Sequence, residues 1–150
     1  MGLLYNVKNL PQVVPLNFAV YKNSGEIVRI KNENVASRIS DEGSKVQTIT
    51  IKDLLGIFSV DDNDMYLKID CEGSEYPIIL NADKKDMRKF QTVVMEVHWE
   101  LNKQSTYRGK DRIINKMKSF GFELVYTNQM FGGKFKNEIM PIEIEKWERV

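Results

Sequence analysis

Disulfides are excluded first, because the chain has one cysteine, Cys71, in 150 residues. A lone thiol fits a reducing compartment such as the cytoplasm. Histidine is equally scarce, with His98 the single copy. One Cys and one His are too few for the usual structural zinc set within one chain. Net charge is nearly absent too: 22 basic against 21 acidic residues leave +1. That balance gives no electrostatic footprint for nucleic acid or for an anionic membrane. No apolar run approaches the roughly 20 residues that span a bilayer. The N-terminus has no basic region followed by an apolar core, so no signal peptide is expected. Asn6 stands where myristoylation needs Ser or Thr. Repeats, linkers and low-complexity tracts are missing as well.

What is present suits one globular domain over residues 1–150. Hydrophobic residues make up 42% and charged residues 29%, and the length suffices for a core. Gly2–Gln12 predicts little structure. Val13–Tyr21 is apolar and β-branched enough for a strand, with Pro15 favouring a sheet edge. Asn23-Ser24-Gly25 reads as a turn into a second strand, Glu26–Ile30, and the pair as a hairpin. Asn32–Ser44 is polar and reads as loop. Val46–Ile51 predicts a strand and Lys52–Phe58 a short helix or turn with Leu54, Leu55 and Phe58 inward. Asp61–Asp64 is a turn.

Met65–Glu75, MYLKIDCEGSE, is the stretch around which the rest is organised. It reads as a strand running into acid and turning straight into a helix. Met65, Leu67 and Ile69 fall on one face, and Tyr66, Lys68 and Asp70 on the other. Gly73 permits the turn, Ser74 suits an N-cap, and Glu75 and Pro77 suit the first helical turn. Short helices follow over Ser74–Leu80 and Lys84–Phe90. Thr92–Trp99 is a second strand, with Val93, Met95, Val97 and Trp99 on one face and Val94, Glu96 and His98 on the other. About twenty residues join the two strands, enough for a crossover between parallel neighbours. Arg108–Phe120 has helical spacing at Ile113, Ile114, Met117 and Phe120, and Gly121 closes it. Phe122–Thr127 and Pro141–Val150 read as a closing hairpin with Gly132-Gly133 in its turn. The alternation predicts an α/β three-layer sheet with an antiparallel end.

KIDCEGSEYPIIL resembles the K-I-D-x-E-G-x-E-x-x-x-L signature of the FkbM-type methyltransferases, which use S-adenosylmethionine. Lys68, Ile69, Asp70, Glu72, Gly73 and Glu75 occupy its positions, followed by apolar Ile79-Leu80. The resemblance extends along the chain. Phe18-Ala19-Val20 before Gly25, a Thr-to-Asp-to-Leu segment at Thr48–Leu54 or Thr50–Leu55, Glu96-x-His98, and Gly121-Phe122 fit the family order. It implies a partial Rossmann-like class I methyltransferase sheet, with parallel central strands and an antiparallel C-terminal hairpin. It also implies S-adenosylmethionine as cofactor, with Ala19 and Val20 near the adenine and Asp70 near the transferable methyl. Glu72, beside Asp70 in the signature, is assigned with them to the cofactor. The family's Gly-rich turn and ribose-binding acid have no counterpart here. The chain therefore resembles the C-terminal two-thirds of such an enzyme. The central strand is expected to have an unpaired edge, which would lead to self-association or a partner chain, to inward movement of Val13–Tyr21, or to marginal stability.

The candidate catalytic residues are Lys68, Asp70, Glu96 and His98. If the two strand faces coincide, two carboxylates, an ammonium and an imidazole converge. Methylation of a hydroxyl, on a sugar or another small acceptor, needs a base for its proton. Asp70 or His98 would be that base, with Lys68 balancing charge and Glu96 orienting His98. Plainer readings stand beside these: a structural Lys68–Asp70 ion pair, a core His98, a core Trp99, and a Glu75 that only decorates a helix start. Cys71 has no partner pattern for a nucleophile. A metal on Asp70, Glu96 and His98 matches in ligand type, but none is assigned. Two classes remain: an S-adenosylmethionine-dependent O-methyltransferase, or a non-catalytic methyltransferase-like domain that binds a partner. Another kind of nucleotide-binding domain is disfavoured by the lack of a phosphate loop.

Overall fold

The computed structural model describes residues 8–33, 36–58, 64–98, 106–135 and 138–150. It is an α/β arrangement of two four-stranded sheets. The first sheet holds β1 (Ala19–Val20), β2 (Ile27–Glu33), β3 (Ala36–Ser40) and β4 (Ser44–Ile49), in the order β1-β4-β2-β3. Helix α1 (Ile51–Phe58) follows it. The second sheet holds β5 (Met65–Ile69), β6 (Phe90–His98), β7 (Phe122–Phe135) and β8 (Glu138–Arg149), in the order β5-β6-β8-β7. Helices α2 (Glu75–Asn81) and α3 (Lys84–Met87) connect β5 to β6, and α4 (Thr106–Phe120) connects β6 to β7. None of the described helices is long and apolar enough to cross a membrane.

The expected parallel pair is present: β5 and β6 run parallel, with Leu67 beside Val93 and Ile69 beside Met95. The closing antiparallel hairpin is present too, as β7 with β8. The expected single three-layer sheet is replaced by two sheets. One core serves both. Val93, Met95, Val97 and Trp147 pack with Ile78, Ile79 and Met87 of the crossover and with Ile113, Met117 and Phe120 of α4. Val20 of β1 and Ile51 and Leu55 of α1 join that cluster. The opposite face of β5 carries Tyr66, 78% exposed, and exposed Lys68. Trp99 and Asp61–Asn63 lie outside the described residues.

Several local expectations are overturned. Of Val13–Tyr21, Ala19–Val20 is strand, and Val13, Val14 and Phe18 are exposed. The proposed hairpin with Glu26–Ile30 does not form, because β1 pairs parallel with β4, and β2 pairs antiparallel with it. Buried Thr48 explains the insertion of β4: its N–H donates to the Glu26 carbonyl, its carbonyl accepts from Gly25, and its Oγ1 accepts from the Glu26 N–H. The polar stretch Asn32–Ser44 is not loop but holds β3, paired in register with β2 through Ile30–Ile39. Ladder hydrogen bonds come from the backbone, so polar side chains do not prevent them. Gly43 closes that arm at φ +113°, where a Cβ would fall 2.1 Å from the Ile30 carbonyl oxygen.

Gly132-Gly133 lies within β7, not in the hairpin turn. Phe131 faces Pro141 and Lys134 faces Ile139, three steps against two, which makes a bulge. Lys84–Phe90 shortens to α3, with Phe90 opening β6. Phe58 is exposed rather than inward. α1 starts on a reciprocal cap: Thr50 donates its N–H and hydroxyl to Asp53 Oδ2 at 2.8 and 2.6 Å, and the Asp53 N–H donates to Thr50 Oγ1 at 3.2 Å. Those Thr50 bonds hold the Asp53 carboxyl below its usual range.

Candidate active site

β5 and β6 end side by side, and the in-register pairing of Lys68 with Val94 carries Asp70 to the level of Glu96. The chain then turns sharply. Glu72 takes φ +49° and Gly73 φ +93°, two successive left-handed residues. For Glu72 that geometry costs about 1–2 kcal/mol, so the fold must hold it in place. Glu75 does so. Its Oε1 accepts the Cys71 N–H at 2.8 Å and its Oε2 the Gly73 N–H at 2.9 Å. Ser74, expected as the N-cap, makes no side-chain cap bond. The carboxylate one residue later gathers the free donors instead.

Glu75 is 0% exposed, and its third partner is His98 Nδ1, 3.2 Å from Oε1. A carboxylate there places the proton on Nδ1. The other ring nitrogen, Nε2, faces Glu72 Oε2 at 3.5 Å and Glu96 Oε1 at 3.7 Å. Burial of His98 opposes its charged form, but the Glu75 hydrogen bond and the charges of Glu75, Glu72 and Glu96 outweigh it and raise its pKa. Lys68 Nζ sits 3.2 Å from Asp70 Oδ2 on the exposed side, with the Asp70 side chain 37% exposed. Burial pushes the Cys71 thiol pKa up, away from nucleophile character.

The structure thus brings Lys68, Asp70, Glu72, Glu96 and His98 to one strand end, as the coinciding faces require. Ala19 and Val20 take their strand bonds in the other sheet, beside Thr48 and Ile49. Tyr21, just after them, lines a cleft of about 120 Å³ whose far wall includes Ile78, Asn81 and Ala82. The residue missed as a site member is Glu75. Its signal was in the sequence, as the second Glu of the E-G-x-E turn. The bond that orients the imidazole comes from Glu75, while Glu96 stands at the opposite nitrogen.

The cluster can do two things chemically. Carboxylates at a strand end can take a proton from a hydroxyl, and their concentration of negative charge favours a cation between them. The sulfonium of a methyl donor is such a cation, so this end fits that part of S-adenosylmethionine. The cleft by Tyr21, at about 120 Å³, is smaller than the roughly 300–1,000 Å³ of small-molecule sites.

A family model described as the methyltransferase FkbM domain matches residues 8–124. No curated protein and no solved structure matches the chain.

Proposed function

We propose that this chain, which belongs to the FkbM methyltransferase family, carries the acceptor-activating part of a hydroxyl methyltransferase site. The observation that carries the reading is the Glu75–His98 pair set under Asp70, Glu72 and Glu96 at the ends of two parallel strands. In open α/β sheets this is where ligands sit. S-adenosylmethionine, the cofactor the family implies, supplies a methyl group activated by its sulfonium charge.

The chain's own residues have separable tasks. Asp70, half-exposed at the strand end, accepts the hydroxyl proton, and Lys68 balances its charge. Glu75 fixes the ring of His98 through Nδ1. Nε2 of His98 faces Glu72 and Glu96, and those carboxylates face the cationic centre. The acceptor is a sugar or other small hydroxyl compound, since a net charge of +1 gives no pull toward a polyanion. The single thiol suits the reducing cytoplasm.

A second reading has its own support. Ala19-Val20 and Asp70 lie in different sheets, which favours a methyltransferase-like domain acting as a binding subunit. Calorimetric titration of S-adenosylmethionine into the 150-residue chain separates the two. Binding that weakens with Asp70→Asn supports the enzyme, and a screen of hydroxyl acceptors follows. No heat at millimolar cofactor favours the binding subunit.

A further inference from the structure

His98 presents a problem that the methyl-transfer reading does not solve. It is 4% exposed, and Nδ1 is committed to Glu75. Among the described residues Nε2 makes no hydrogen bond, and it faces carboxylates at 3.5 and 3.7 Å. Those separations exceed the 2.7–3.2 Å of a good N–H···O bond. A lone pair on Nε2 facing anionic oxygens is repulsive, and a proton on Nε2 bridges neither carboxylate well. A small cation between them satisfies all three.

The geometry suits one. Two ligand atoms bound at about 2.1 Å around a tetrahedral metal lie about 3.4 Å apart, near the 3.7 Å between His98 Nε2 and Glu96 Oε1. One ligand atom each from Asp70, Glu96 and His98 falls within 4.8 Å of the others, and the Asp70 side chain is 37% exposed. The remaining feature is the partner of Nδ1. Metal-binding histidines almost always give their other ring N–H to a carboxylate or carbonyl, which orients the ring. Buried Glu75 supplies that carboxylate, and two backbone N–H groups hold it in turn.

We propose that Asp70, Glu96 and His98 form a binding site for a divalent transition cation, Mn²⁺ or Zn²⁺, with Glu75 as the positioning residue. One nitrogen and two carboxylate oxygens suit these ions better than the all-oxygen shells of Mg²⁺ or Ca²⁺. The open side of the site, toward Lys68 and solvent, leaves room for water or an acceptor hydroxyl, whose proton the ion would acidify. Only this last role rests on the methyltransferase reading. The binding does not, and it is measured without cofactor or acceptor.

The test is titration of the chelator-stripped 150-residue chain with Mn²⁺, with free ion read by electron paramagnetic resonance, and with Zn²⁺ by nitrogen NMR. His98 is the single histidine, so its two ring nitrogens are assigned without ambiguity. One Mn²⁺ per chain is expected, together with a Zn²⁺-induced shift at Nε2 and not at Nδ1. Asp70→Asn and Glu96→Gln, both at positions with solvent contact, should each weaken binding at least about tenfold, and Glu75→Gln by about 10–100-fold. Cys71→Ser should leave it unchanged. No Mn²⁺ bound at millimolar ion, binding unaffected by Asp70→Asn and Glu96→Gln, or binding lost with Cys71→Ser overturns the proposal.

Discussion

Glu75 is the residue on which the site turns, because one buried carboxylate serves a backbone turn and an imidazole at once. Glu75→Gln keeps the shape but puts an amide N–H₂ against a backbone N–H or the imidazole N–H. A donor facing a donor in a buried site costs about 2 kcal/mol, to be measured as a lower midpoint in urea. His98 gives a pH dependence of defined sign. Its pKa is raised on folding above the usual 6.5, so the folded state holds the proton more tightly than the unfolded chain. The resulting stabilisation is complete below about 6.5 and fades as pH rises through the folded value. In metal-free buffer, the melting-temperature gap between the wild type and His98→Gln should therefore be wider at acid than at alkaline pH. An unchanged gap across that window would remove the carboxylate cluster as the cause. Lys68, Asp70, Glu96 and His98 were legible from alternation on two strands, and Glu72 from its place in the signature. Glu75 was visible in the signature, but its side-chain direction was not, since that depends on the left-handed turn at Glu72 and Gly73.

The elements divide by how local their causes are. α1 begins with Thr50 and Asp53 capping each other, a bond pattern set within four residues. Asp53→Ala should weaken that helix by about 1 kcal/mol, seen as faster amide exchange over Ile51–Phe58 with β6 unaffected. β5, β6, α4 and Gly121 were legible for the same reason: period and cap are local. β1, β3 and the glycine bulge were not. β1 depends on Thr48 lying between two strands, a contact separated by more than twenty residues. Gly132-Gly133 looked like a turn because two glycines allow either a turn or a bulge, and pairing with β8 selects the bulge.

At the scale of the molecule, β5 is the edge of its sheet among the described residues, and its uncovered face carries Tyr66. Unpaired strand edges recruit other strands. Sedimentation velocity should show concentration-dependent association of the 17.5 kDa chain. Tyr66→Lys, which adds charge beside Lys68, should shift it toward monomer, and a wild-type monomer at every concentration would count against the idea. The sequence by itself determined the α/β alternation, the parallel β5–β6 pair, the C-terminal hairpin and the acidic strand end, because periodicity and turn chemistry act over a few residues. Tertiary structure alone decided that the strands divide into two sheets, that β4 separates β1 from β2, and that Glu75 reaches His98. Each of those rests on which distant backbone or side-chain groups complete one another's hydrogen bonds once the common core excludes water.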